Sequence, residues 1–146
     1  MAFRGTFDHT LDAKNRLTVP ARFRAALAEG VVLASQPDES RSLSIWRPHD
    51  YDAHIEQTIA GLPPSSPQAA HLRRFFYANS SESEVDGAGR VIVPPALLRR
   101  AGLGREVVIA GAGQFLEVWD RNQWAEYNEK LFDQVGDLTA SLGQSA

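Results

Sequence analysis

The sequence predicts a mixed α+β fold, rich in β-strand and built as a pseudo-two-fold duplication with short flanking helices. Three observations lead there. Leu11–Phe23 ("LDAKNRLTVPARF") and Val85–Leu98 ("VDGAGRVIVPPALL") share one order: an apolar residue, Asp, three small or polar residues, Arg, an apolar run, then Pro. Asp12 and Asp86, Arg16 and Arg90, and Pro20 and Pro94 are each 74 residues apart. The likeness continues downstream: "VVLA" from Val31 matches "VVIA" from Val107, and "LSIWRPHDY" from Leu43 matches "LEVWDRNQW" from Leu116. The apolar runs are short, β-branched and bounded by turn residues, which signals strands. Two copies are too few for a solenoid. A half of about 70 residues buries a marginal core alone, so the halves are expected to share one.

The elements follow in chain order. "RLTVP" reads as a strand that Pro20 ends, opening a short helix over "PARFRAALA". "GVVLAS" and "SLSIW" are the next two strands, joined by "QPDESR", with Asp50 expected to start the following helix. "LPPSSPQ" separates the halves; Ser66 has the chemistry of an N-cap and Pro67 that of a first helical residue. The linking helix "AAHLRRFFYA" would turn Leu72, Phe75 and Phe76 to the core and Arg73 and Arg74 outward. In the second half "RVIVP" is a strand, "PALLRRAG" a helix closed by Gly102, and "EVVIAG" and "FLEVW" a strand pair turning at Gly111–Gly113. Asn122 is expected to start the last helix, and Trp46, Tyr51, Trp119 and Trp124 to fill the space between last strand and helix in each half. The tail "VGDLTASLGQSA" is small and polar and is expected to fray.

Composition narrows the function classes. The 146 residues include no cysteine, which excludes disulfides, thiolate metal sites and cysteine nucleophiles. No run has the length and apolarity of a signal peptide or a membrane span, so the expected location is cytoplasmic, with no membrane partner. Net charge is −3, but it is unevenly spread. Residues 1–27 carry five basic against two acidic residues, and residues 114–146 two basic against six acidic. One end is basic and the other acidic.

The Asp-to-Arg spacing brackets a turn. Asn15 and Gly89 occupy its last position, and Asn and Gly best tolerate positive φ. A left-handed residue is therefore expected just before each Arg. Asp12 and Asp86 can accept backbone N–H bonds across the turn, so Asp12, Asn15, Asp86 and Gly89 are turn-stabilising candidates. The arginines call for more than a surface ion pair, worth under ~1 kcal/mol. Lys14 sits at the tip of the first turn, where it cannot pack. A basic tip beside Arg16, with Arg4, Arg22 and Arg24 near in sequence, is the footprint of a phosphate or base reader. The second loop, "DGAGR", keeps only Arg90, so the first is expected to dominate. The nucleic-acid candidates are Lys14, Arg16, Arg4, Arg22 and Arg90.

At these residues the chain resembles the MraZ family, within the SpoVT-AbrB (AbrB-like) superfamily of DNA-binding proteins. "GTFDHTLDAKNRLTVPARFR" is close to that pattern, and the resemblance covers nearly the whole chain. It implies an AbrB-like swapped-hairpin β-barrel made from the two halves. The corresponding boundaries are a first repeat over 1–60, a linker and helix over 61–78, a second repeat over 79–135 and a flexible tail over 136–146. It also implies a homo-oligomeric ring. The ring would bind direct repeats in double-stranded DNA upstream of its own operon, in the division and cell-wall gene cluster. The implied role is a nucleoid-associated transcriptional regulator, a repressor, with no cofactor and no small-molecule substrate. Asp12, Arg16, Asp86 and Arg90 carry over by motif, and Lys14 as the basic residue of the first loop.

Two other classes compete. A pseudo-two-fold pair of aspartates suggests an aspartic protease, but the adjacent Arg16 and Arg90 would lower the carboxyl pKa values that such a dyad needs raised. His9, His49, His54 and His71 show no metal-ligand spacing, and no nucleophile–base pair stands out, so an enzyme is not expected. The alternative is a protein-interaction or assembly module without DNA binding. Such a module would tolerate loss of Lys14 and Arg16.

Overall fold

The computed structural model describes residues 1–144. Its elements are β1 (Thr6–Thr10), β2 (Arg16–Thr18), a 3-10 turn (Ala21–Phe23), β3 (Val31–Ser35), β4 (Leu43–Trp46), α1 (Pro48–Ile59) and α2 (Pro67–Ala78). The second half adds β5 (Ser80–Ser83), β6 (Arg90–Ile92), α3 (Pro95–Arg100), β7 (Glu106–Gly111), β8 (Phe115–Asp120) and α4 (Arg121–Gln144).

All strand pairs are antiparallel, and they mix the halves. A six-stranded sheet runs β1-β7-β8-β4-β3-β5, and β2 pairs with β6 in a separate ribbon. The order is unchanged when β1 is exchanged with β5, β3 with β7 and β4 with β8. The first strand of each half thus lies beside the third-strand position of the other, Thr6–Thr10 against Glu106–Ala110 and Ser80–Ser83 against Val31–Ala34.

The closed barrel implied by the resemblance is not what the described residues form. The sheet is open, with β1 and β5 at its edges, and the ribbon joins neither. Pro20 and Pro94 explain why the ribbon stays short: each lacks an N–H and turns the chain into the helical segment that follows.

Alternation along the strands makes two cores. Leu17, Val19, Val91 and Val93 of the ribbon strands and the residues just beyond them pack with Val31, Leu33, Leu43, Ile45, Val107, Ile109, Leu116 and Val118. Phe23 and Leu97, from the helical segments after each ribbon strand, close this layer. On the opposite face Val32, Ala34 and Trp46 meet Tyr51 and Ile55 of α1 and Phe76 of α2. The Tyr51 hydroxyl donates to the Phe76 carbonyl at 2.8 Å. Arg121 fastens the start of α4, donating from Nη2 to the His9 carbonyl at 2.9 Å.

Several expectations need adjustment. "PARFRAALA" forms a single 3-10 turn followed by irregular turns, whereas "PALLRR" is a true α-helix. Asp50 and Asn122 do not start their helices. Pro48 opens α1, with Asp50 inside the first turn and paired to Arg47 at 2.6 Å. α4 opens at Arg121, where Asp120 Oδ2 accepts from the Gln123 N–H at 3.2 Å. Ser66 does cap α2, accepting from the Ala69 N–H at 3.1 Å, and Pro67 follows it. Positions 136–144 of the expected tail are helical, and positions 145–146 lie outside the described residues. Trp46, Tyr51 and Trp119 are buried, and Trp119 stacks on Tyr127 of α4 at 4.7 Å. No helix among the described residues is long and apolar enough to cross a membrane.

Candidate nucleic-acid interface

Each Asp-x-x-x-Arg segment folds into the turn its residues require. In the first, Asp12 Oδ1 accepts from the N–H groups of Lys14 and Arg16, both at 2.9 Å, and Oδ2 accepts from Arg16 Nε at 2.6 Å. The Asp12 N–H donates to the Arg16 carbonyl and the Asn15 N–H to the Asp12 carbonyl. Asn15 is left-handed, with φ 59°. In the second, Asp86 Oδ1 accepts from the N–H groups of Ala88 and Arg90 at 2.9 Å, and Oδ2 from Arg90 Nε at 3.0 Å. Gly89, with φ 80°, is its left-handed residue.

These bonds favour the ionised carboxylates. Asp12 is lowered to about 2, first by the backbone N–H of Arg16 and further by the guanidinium. Asp86 is lowered chiefly by the backbone N–H of Arg90. Each charged aspartate fixes its arginine by Nε. The η nitrogens of both arginines make no hydrogen bond among the described residues, so their outer edge remains free to donate.

The ribbon sets where the arginines point. Arg16 lies opposite Ile92, Leu17 opposite Val91 and Thr18 opposite Arg90. Leu17 and Val91 are buried in the core. The period of two therefore sends Arg16, Thr18, Arg90 and Ile92 together to the outer face. Because the strands are antiparallel, the two loops stand at opposite ends of this face. Each is held by the other half: the Val93 N–H donates to the Asn15 carbonyl at 2.9 Å, and the Val19 N–H to the Gly89 carbonyl at 2.8 Å.

The remaining candidates fall elsewhere. Lys14 is exposed at the tip of the first loop. Arg4 precedes β1, whose length separates it from that loop. Arg22 lies over the Phe7 ring at 5.3 Å.

Arg24 is the residue that sequence reasoning counted only as nearby charge. Its Nε donates to the Val19 carbonyl at 3.2 Å. Its guanidinium then lies across Gly89, where an added Cβ would collide with Arg24 Cζ. The second loop lacks a lysine at its tip, yet a cation from the first half rests on it. The "DGAGR" glycine was a signal for this close approach, but only the pairing of the halves supplies the partner.

A family model for the MraZ protein matches the chain twice, over residues 2–75 and 76–139. The chain is 40% identical to the transcriptional regulator MraZ of Paenarthrobacter aurescens, over 92% of this chain and 94% of that protein. It is 38% identical to the one from Heliobacterium modesticaldum, over 96% of both, and 35% identical to the one from Herpetosiphon aurantiacus, over 93% of both. The doubled match falls on the two halves that exchange strands, and this chain belongs to the MraZ family.

Proposed function

We propose that the protein is a sequence-specific DNA-binding transcriptional regulator, a repressor of its own operon within the division and cell-wall gene cluster. Its relatives are named transcriptional regulators. The observation that carries the reading is the outer face of the β2–β6 ribbon. Two arginines fixed by Nε point from it, with the cations Lys14 and Arg24 at its ends. The major groove admits a two-stranded β-ribbon, and Arg is the commonest reader of guanine O6 and N7. The reading includes a swapped-hairpin relation of repeats 1–60 and 79–135 across the linker 61–78, supported by the exchange of β1 and β5.

A single subunit offers few cations, so its affinity is modest and steeply salt-dependent. A homo-oligomeric ring sets several ribbons on one face. Direct repeats about one helical turn apart, roughly 10 bp, then meet successive copies, and effective concentration turns weak contacts into tight binding. A net charge of −3 does not oppose this, because the charge is unevenly spread: residues 1–27 carry five basic against two acidic residues, and residues 114–146 two basic against six acidic. The protein would act in the cytoplasm, on the nucleoid.

The test is binding of wild type and Arg16→Ala to the DNA upstream of the protein's own gene, over a salt series, with circular dichroism as the folding check. Salt-steep preference for that DNA, lost in the folded variant, supports the regulator. Equal binding of that DNA and random duplex by wild type would leave the assembly module as the better reading.

A further inference from the structure

We propose that Ile92 is a specificity-determining residue that contacts the C5-methyl group of a thymine within one base-pair step of the base read by Arg16. The inference rests on the DNA-reading function proposed above.

Ile92 is 60% exposed, while its neighbours Val91 and Val93 are 1% and 0% exposed. Its exposure follows from strand alternation and is no fraying effect: β6 pairs at Ile92 with Arg16 in register. Among the described residues it is the one exposed large hydrophobic on a strand; the others lie at Met1, on α2 and on α4. A strand position of this kind suits a polar β-former, and the matching residue of the first half is Thr18. The isoleucine stands instead between two cations, Arg16 across the ribbon and Arg90 two residues back.

That setting selects the occupant. Flanking guanidinium groups disfavour an apolar protein surface, which would have to desolvate them, and favour a polyanion that pairs with them. Within a duplex, the thymine methyl is the apolar group presented in the major groove, beside the guanine atoms that arginine reads. Facing residues on paired strands have Cα atoms ~4.5–5.5 Å apart. Arg16 and Ile92 can therefore reach neighbouring base pairs at once. The minor groove offers no such methyl, so the contact also assigns the groove.

The probe is the duplex upstream of the protein's own gene, synthesised with thymine or with deoxyuridine, which lacks only the methyl. Fluorescence anisotropy would compare wild type, Ile92→Val and Ile92→Thr. Wild type is expected to bind the deoxyuridine duplex about fourfold or more weakly, the loss of one buried methyl-sized group. Ile92→Val should keep most of that difference, and Ile92→Thr should bind both duplexes nearly alike. Specific binding by wild type with no preference for thymine would overturn the methyl contact and leave the regulator standing. No preference for the upstream duplex over random DNA would overturn both. A change of sedimentation mass in Ile92→Thr, with equal thymine and deoxyuridine affinities in wild type, would assign Ile92 to a contact between copies and overturn the proposal.

Discussion

In the first loop, Asp12 gathers the N–H groups of Lys14 and Arg16 and the Nε of Arg16; in the second, Asp86 gathers those of Ala88 and Arg90 and the Nε of Arg90. The two backbones are therefore built alike. What separates them is the source of the second cation. The first loop carries its own, Lys14, on a free tip. The second borrows Arg24 from the other half, and Gly89 makes room for it. An asparagine at that place would put its Cβ into the guanidinium. The same turn thus accepts Asn15 in the first half and needs Gly in the second, where the Arg24 side chain crosses it. An uncharged loop sequence is not an uncharged loop surface.

The sharpest way to break this comparison is to remove each arginine. Arg16→Ala is expected to abolish specific DNA binding with the fold intact, since one bidentate Arg–guanine contact is worth about 1–3 kcal/mol per site and the proposed ring would repeat the loss. Arg90→Ala should do less, because its loop has no cation at its tip and the borrowed Arg24 is held against the Val19 carbonyl by Nε. Titration of both variants with the upstream duplex checks the order. A folded protein in which Arg90→Ala is the more damaging would reverse the ranking of the loops.

The left-handed residues come next. Gly89→Ala imposes positive φ on a side chain, a cost of about 1–2 kcal/mol, and pushes Arg24 off the loop. Asn15→Ala should cost about 1 kcal/mol or less, because Asn already bears a Cβ at φ 59°. Denaturant midpoints measure both. DNA affinity should fall in Gly89→Ala alone, and equal affinity in the two variants would mean that Arg24 does not matter to binding.

How much of this was legible in the sequence depends on where the information sits. The motif turns, the six apolar strands, the Ser66 cap and the Gly102 stop were readable because they are local. β1 and β5 were not. "TFDHT" has a single apolar residue and "SSES" none, because edge strands need bury little and stay polar. The 3-10 turn after Pro20 also escaped, since "ARFRAALA" has good helix formers and only packing decides otherwise. Arg16 and Arg90 were legible as candidates, but their shared face, and Ile92 with them, required the β2–β6 register. Arg24 required knowing which half covers which loop.

The borrowed cation can be weighed directly against the native one. Lys14→Ala and Arg24→Ala each remove one charge proposed to reach a phosphate, without touching the side-chain bonds from Arg16 to Asp12 and from Arg90 to Asp86. Each should weaken binding uniformly across sequences and lower the slope of log affinity against log salt by about 0.9 per subunit. Equal slopes for the two variants would make the loops equivalent in charge. An unchanged slope in Arg24→Ala would confine Arg24 to holding the Val19 carbonyl.

The smallest effect tests the part the loops share. Asp12 titrates at about 2 when folded, against an ordinary 3.8, and Asp86 is lowered by the same kind of backbone bond. A carboxyl whose pKa falls on folding stabilises the native state above its unfolded pKa. That contribution fades as pH drops from about 4 toward 2, where the folded carboxylate takes its proton. Asp12→Asn has no such group, so the gap between wild type and this variant should narrow over that window, as read from urea midpoints between pH 5 and 2.5. Asp86→Asn should narrow it in the same direction. The change should be smaller there, because the Arg90 Nε contact is 3.0 Å against 2.6 Å for Arg16. Both carboxylates are solvent-facing, and water screens the interaction. If the Asp86 variant shows the larger narrowing, the second loop is the more tightly charge-coupled of the two, and its borrowed Arg24 becomes the first place to look for the reason.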